Sequence, residues 1–226
     1  MRCSVRISLP DRPGALGAVA ASLGRRGADI RSLEVVDVED GFAVDELVVD
    51  VGEGKSVDLR YVLEELHGVV VEDVRPLAER SGGSPLELAV ALSGTPAERA
   101  LDVLVEQLPD AARLTWAAVL RAGARRPAVV TASVGGPSFV SAQTPWLPLT
   151  EPRRLEPAPW MPPTWSNGEQ RYAVAAVPLG GPDEALLVAR QFGPRFRSAE
   201  LREIALLARL TAGRRGDTSG VAAPAP

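Results

Sequence analysis

The sequence is poor in the residues that most often perform catalysis or hold metals. Its 226 residues include one cysteine, Cys3, and one histidine, His67. A single cysteine excludes an intrachain disulfide, and no group of residues has the spacing of zinc ligands. A catalytic triad would depend on His67, which lies at the end of a predicted helix, where a histidine is usually a surface group. The sequence also contains no Gly-x-Gly-x-x-Gly or Walker motif, so we expect no cofactor, no metal and no catalytic site.

The sequence also lacks long hydrophobic runs and lysine. No stretch approaches the roughly 20 apolar residues of a membrane span, and the first residues lack a signal-peptide apolar region, which predicts a cytoplasmic protein without a membrane partner. Arginine outnumbers lysine 24 to 1, a bias typical of GC-rich bacterial genomes. Residues 1–79 hold 16 acidic and 9 basic side chains, which argues against nucleic acid as a partner.

The most informative segment is a strand followed by a turn and a helix. Pro13 suits the first helical position, and Gly14 lets the backbone approach a bound group. Unpaired amides at such a helix start hold either a carboxylate or water. Apolar residues alternate before the Asp-Arg-Pro-Gly turn of residues 11–14 and recur at helical spacing after it: Val5, Ile7 and Leu9, then Leu16, Val19, Ala20 and Leu23.

The elements that follow complete a recognisable order. This order resembles the ACT domain, an amino-acid-sensing module, and implies a ferredoxin-like βαββαβ fold over residues 1–78. Many ACT units associate as homodimers, and some bind only each other. The later elements are a second strand beginning at residues 27–30, a turn at 39–41, a third strand at 42–51, a helix at about 57–66 and a strand at 69–74.

The resemblance also implies a ligand site between two subunits. In ACT domains an amino acid commonly sits between the loop of one subunit and the start of the second strand of the other. By position, the amides of Gly14, Ala15 and Leu16 hold the ligand carboxylate, while Asp11 and Asp29 accept its ammonium. Many relatives carry Asn in place of Asp29, and the acid better suits a cationic group. The predicted ligand-binding residues are Asp11, Arg12, Pro13, Gly14, Ala15, Leu16, Asp29 and Ile30.

Five of these residues also have a simpler interpretation. Asp11 is alternatively a helix cap worth about 1 kcal/mol, and Arg12 a surface charge. Asp29 is alternatively a charge that prevents wrong pairing at a strand edge. Pro13 and Gly14 are explained by the helix start alone.

The second half of the chain begins after a break in composition. Residues 79–85 have the Gly/Ser/Pro character of a linker. The following order resembles a GAF domain, a sensory module, over residues 86–212; the match is most specific from Tyr172 to Leu201. It implies an antiparallel sheet flanked by the first and last helices, and thus an α+β fold for both halves. The predicted elements are a helix at 97–108, strands at 112–121, 128–134, 171–179 and 185–191, a helix at 198–212 and a disordered tail at 213–226.

A Pro-rich segment, residues 135–168, separates the second and third of these strands. It carries Trp146, Trp160, Met161 and Trp165, which either form a lid over a ligand or cover a bare face of the sheet. We favour the covering role, because long loops are often packed by their own large side chains.

Together these patterns predict a cytoplasmic, homodimeric regulatory protein without catalytic activity. It is expected to bind a small amino acid or related metabolite at the ACT dimer interface, with allosteric output through the GAF-like domain to a regulated protein partner. The alternative is a constitutive dimerisation scaffold that binds no small molecule. An enzyme is the weakest interpretation, because it needs acid–base chemistry from carboxylates alone.

Overall fold

The computed structural model describes residues 1–52, 58–77, 83–123, 127–137, 144–159, 161–162, 165, 172–191 and 193–218. The chain divides into two compact units, Met1–Ser81 and Gly82–Pro226. Each unit contains one antiparallel sheet with helices, so the predicted α+β fold class is confirmed.

The first unit has the predicted βαββαβ order. Its sheet has the strand order β2-β3-β1-β4, and every neighbouring pair is antiparallel. The elements are β1 (Arg2–Pro10), α1 (Ala15–Arg25), β2 (Ala28–Glu39), β3 (Phe42–Val51), α2 (Leu59–Glu64) and β4 (Val70–Pro76).

One face of this sheet packs against both helices. Val5 and Ile7 of β1 lie beside Leu47 of β3, and Val19 and Leu23 of α1 cover them. The period-two pattern of β1 and the helical spacing of α1 therefore meet in one core, as predicted. Cys3 is buried in the same core, and burial raises the pKa of its thiol. Ala20, by contrast, is exposed.

The second unit is a five-stranded antiparallel sheet with its helices packed on one face. The strand order is β6-β5-β9-β8-β7. The elements are α3 (Pro85–Gly94), a 3₁₀ turn (Ala97–Arg99), α4 (Ala100–Ala111), β5 (Trp116–Arg121), β6 (Ala128–Ala132), β7 (Arg153–Leu155), β8 (Tyr172–Leu179), β9 (Gly181–Gln191) and α5 (Ser198–Thr218).

The opposite face of the second sheet is covered by the Pro-rich segment. Trp146, Met161 and Trp165 are buried there, and the Trp165 ring lies 5.2 Å from that of Trp116 on β5. Burial of these side chains against the sheet fits the covering role. Trp160, which was grouped with them, lies outside the described residues.

Several elements differ from the sequence prediction. The helix predicted at 97–108 is a 3₁₀ turn followed by α4, which extends to Ala111, and the strand predicted at 112–121 begins at Trp116. Ser84 and Pro85, assigned to the linker of residues 79–85, begin α3: the Ser84 hydroxyl accepts from the Glu87 N–H, and the Glu87 carboxylate accepts from the Ser84 N–H. This reciprocal capping explains why the helix starts there. Helix α5 continues past residue 212 to Thr218, so the first part of the predicted tail is helical, and residues 219–226 lie outside the described residues. Strand β7 lies within the segment predicted to be a loop.

A buried arginine joins three parts of the second unit. Arg190 of β9 is only 4% exposed. Its guanidinium donates to the carbonyls of Ala112 and Arg113 after α4, and to the Glu200 carboxylate on α5 at 2.9 Å. A Cβ at Gly193 would overlap the Arg190 side chain, which accounts for glycine at that position. Because a buried charge is costly unless it is paired, Glu200 is needed to keep these elements together.

Replacing Glu200 with Ala is therefore expected to destabilise the second unit by about 3 kcal/mol, because Arg190 stays buried without its carboxylate. All four tryptophans lie at position 116 or beyond, so urea unfolding followed by tryptophan fluorescence reports on this unit alone. Glu106→Ala, at an exposed site on α4, is the control. Equal losses in the two variants would contradict the role given to the Arg190–Glu200 pair.

Candidate functional site

The turn between β1 and α1 lies at the end of the sheet that also carries the β2–β3 hairpin. The Asp11 N–H donates to the Gly41 carbonyl at 2.9 Å, which fixes the turn beside that hairpin. Asp11, Arg12 and Pro13 are exposed, and Ala15 and Leu16 are half-buried. The predicted loop residues therefore form one continuous surface at the start of α1.

Gly14 is the N-cap of α1, with φ at 88°, a left-handed conformation that favours glycine. No side chain caps this helix start, so the interpretation of Asp11 as a helix cap is wrong. The Ala15 N–H donates to the Arg12 carbonyl at 3.2 Å and is not available to a ligand. Within the described part of the chain, the N–H groups of Gly14, Leu16 and Gly17 have no acceptor, so this helix start presents free donors.

Asp29 and Ile30 lie at the far end of the sheet. Asp29 faces Asp50 across β2 and β3, on the side of the sheet away from the helices, and its carboxylate pairs with Arg31 at 3.3 Å. Phe42 of β3 pairs with Pro10 beside the turn, and at about 3.3 Å per residue it lies roughly 26 Å from Asp50. One chain therefore does not bring the two halves of the predicted site together.

Asp45 of β3 is a candidate that the sequence analysis missed. Asp45 pairs with Ile7 of β1, and this register turns its side chain toward the helices. It is 3% exposed, and its Oδ1 has no hydrogen-bond partner within the described residues. Burial raises the pKa of its carboxyl, and the nearby charge of Asp11 raises it further.

The neighbouring acid, Glu46, has a very different environment. It points to the other face of the sheet and accepts from Ser4 Oγ at 2.5 Å, from Arg6 at 2.8 Å and from Arg75 at 3.4 Å. Glu46 is thus a buried acid with its charge compensated, whereas Asp45 is a buried acid that forms no side-chain hydrogen bond or ion pair with the described residues. The sequence does contain a sign of this burial: Asp45 alternates with Leu47 and Val49 along the strand, which predicts that all three lie on the same, buried face.

The start of α1 and the buried Asp45 have opposite chemical preferences. Free N–H groups at a helix start attract an anion, and a desolvated carboxylate with Asp11 beside it attracts a cation. The described residues contain no group of three or more His, Cys, Asp or Glu side chains that could hold a metal ion. His67, after α2, is exposed. Among the described helices, none is long and apolar enough to cross a bilayer.

Comparison with known proteins agrees with this architecture. Residues 4–60 match the family model of the ACT domain, so the predicted ACT domain is confirmed for the first unit, and the match includes Asp11, Asp29 and Asp45. Among similar solved structures, an ACT domain protein from Streptococcus pneumoniae is 17% identical, with a TM-score of 0.27, over 33% of this chain and 88% of that one. No curated protein sequence matches the chain.

The similar solved structures also include GAF domains. The GAF domain from the Acinetobacter phosphoenolpyruvate-protein phosphotransferase is 16% identical, with a TM-score of 0.45, over 62% of this chain and 95% of that domain. An unknown protein from Galdieria sulphuraria is 12% identical, with a TM-score of 0.32, over 95% of this chain and 93% of that one.

Asp45→Asn is expected to stabilise the first unit at pH 7 by on the order of 1 kcal/mol, the scale of an unsatisfied buried polar group. Burial raises the pKa of Asp45 in the folded protein, so its charged form is less favourable there than in the unfolded chain. The free energy of unfolding therefore falls as the pH rises from the ordinary pKa of a carboxyl group to the raised pKa of Asp45. The gain should therefore fade below about pH 4. Amide hydrogen exchange of β1 and β3 measures it, with Asp40→Asn in the exposed hairpin turn as control. A gain in stability that does not change with pH would contradict the conclusion that the charged form of Asp45 destabilises the folded unit.

Proposed function

We propose that this chain is a non-enzymatic regulatory protein whose ACT unit binds a small amino acid, or a related metabolite, between two copies of the chain. Two observations support the proposal: the start of α1 has free N–H groups, and the buried Asp45 Oδ1 has no hydrogen-bond partner among the described residues. A zwitterion satisfies both at once. Its carboxylate accepts from Gly14, Leu16 and Gly17, and its ammonium pairs with Asp45 and Asp11.

The sequence-based assignment is modified in two respects by this proposal. Gly17 takes the place of Ala15 among the donors, because the Ala15 N–H is already engaged with Arg12. Asp45 becomes the principal acceptor of the ammonium, because a charge interaction is stronger at a desolvated group than at an exposed one. Asp29 and Ile30 contribute from the second copy.

Strand β2 supports the participation of a second copy. Among the described strands it pairs only with β3, so it lies at one edge of the sheet. Three apolar side chains on its helix-facing side are exposed: Leu33 at 38%, Val35 at 55% and Val38 at 53%. A free edge beside an apolar stripe is a favourable surface for strand pairing. Antiparallel pairing of two β2 strands would bring Asp29 of the second copy toward the turn of the first.

The proposed mechanism is allosteric. A ligand held by groups from both copies favours the arrangement in which those groups are close, in proportion to its difference in affinity for the two arrangements. The second unit is the natural carrier of the output, to a protein partner or in response to another ligand. The exposed stripe on β2 equally favours the alternative, a constitutive dimerisation scaffold, since apolar pairing needs no ligand.

Val35→Asp is expected to weaken self-association at least tenfold, because a charge on the apolar stripe must be desolvated when two β2 strands pair. Sedimentation equilibrium of the full chain measures the dissociation constant. Val130→Asp is the matched control, because Val130 is also an exposed valine on an edge strand, β6. Unchanged association of Val35→Asp would rule out this edge as the interface.

Calorimetric titration of the full chain with each of the twenty amino acids tests the ligand site. At least one should bind, and its N-acetyl derivative, which lacks the ammonium, should not. A ligand at 100 times its dissociation constant should add about 2.7 kcal/mol to stability. Asp45→Asn should weaken binding at least tenfold, while Asp40→Asn should leave it unchanged. A dimer that binds none of the twenty would favour the scaffold instead.

A further inference from the structure

The second unit has a groove of about 470 Å³ at one corner of its sheet. The groove lies where β7 ends, where β8 begins and where the chain leaves β9 over residues 193–196. Apolar and aromatic groups from all three segments line it: Leu155, Tyr172, Val174 and Phe196. A groove of this volume, walled by hydrophobic and aromatic side chains, is within the range that accommodates small organic molecules.

One wall of the groove is held in place by the buried arginine network. The Arg190 guanidinium lies 4.7 Å from the centre of the Phe196 ring and donates to the Pro194 carbonyl at 3.4 Å. Phe196 is fully buried. The wall formed by residues 193–196 is therefore fixed before any ligand arrives, which lowers the entropic cost of binding.

The charges lining the groove are mostly positive. Arg154 and Arg195 both contribute to the lining, and within the described part of the chain neither guanidinium forms a hydrogen bond or an ion pair. Arg121 and Arg190 of the same unit, by contrast, pair with Glu184 and Glu200. Glu156 is the one acid among the described lining residues. Two uncommitted guanidinium groups over an apolar floor favour an anion attached to an apolar body.

We propose that this groove binds a small organic anion, with its apolar body against Leu155 and Tyr172 and a carboxylate or phosphate group held by Arg154 and Arg195. The site lies entirely within the second unit and is separate from the proposed amino-acid site. The second unit would thus bind an anion through arginines, whereas the proposed site of the first unit binds an ammonium group through carboxylates.

Calorimetric titration of the full chain with phenyl phosphate, phenylacetate and benzyl alcohol tests the proposal. At least one anion should bind, and at least tenfold more tightly than the neutral alcohol, because only an anion engages the arginines. Tighter binding of phenyl phosphate identifies the ligand group as a phosphate, and tighter binding of phenylacetate identifies it as a carboxylate. None of the three probes carries an ammonium group, so failure of the amino-acid site leaves this result unaffected.

Substitutions then locate the binding. Arg154→Ala and Arg195→Ala should each weaken the anion at least tenfold, whereas Arg209→Ala, which removes the same charge from an exposed site on α5, should change affinity less than twofold. Glu156→Gln should tighten binding severalfold by removing the one opposing charge. Equal affinity for the alcohol and the anions, no binding of either anion at millimolar concentration, or equal losses in all three arginine variants would overturn the proposal.

Discussion

The constraint on which this structure most depends is that a charge removed from water needs a partner. In the second unit the buried Arg190 guanidinium donates to the backbone carbonyls of Ala112 and Arg113 and to the Glu200 carboxylate. Glu200 also accepts from the Arg197 N–H at 2.8 Å, so the same carboxylate fixes the start of α5. The end of α4, strand β9 and the start of α5 are thereby held in one arrangement, because moving any of them would leave a charge buried and unpaired.

The first unit contains both an example of this rule and an exception. Glu46 is buried on one face of β3 and is compensated by Ser4, Arg6 and Arg75. Asp45, the preceding residue, is buried on the other face; its Oδ1 has no hydrogen-bond partner among the described residues, and its pKa is raised. Groups that are destabilised in this way cluster at functional sites, where a ligand supplies the missing interaction. The contrast within one strand is the physical reason for treating Asp45 as part of the proposed site rather than of the core.

Local sequence patterns predicted most elements of the fold, because strands with one buried face and amphipathic helices carry a clear period. Helix α3 was missed since its residues read as a continuous apolar run, in which Leu88 and Leu92 are buried but Leu86 and Val90 are exposed. Strand β7 is only three residues long and lies among prolines. Asp45 could not be identified from the sequence. The alternating pattern of a strand predicts which face of the sheet a residue lies on, but whether a buried carboxylate has a hydrogen-bond partner depends on the tertiary structure. The engaged Ala15 amide likewise follows from the geometry of the turn.

Two acids within reach of a proposed interface differ in what they can offer an ammonium group. Asp29 is exposed and already shares Arg31 with Asp50, which relieves the repulsion between two facing carboxylates. A ligand gains little there, because water and Arg31 screen the charge. Asp45 is desolvated and has no counter-charge among the described residues, so an ammonium beside it would remove a cost that the free protein carries. If residues from a second copy complete the same site, ligand binding and dimerisation are linked. The ligand then increases the affinity of the two copies for each other by the same factor by which dimerisation increases the affinity for the ligand.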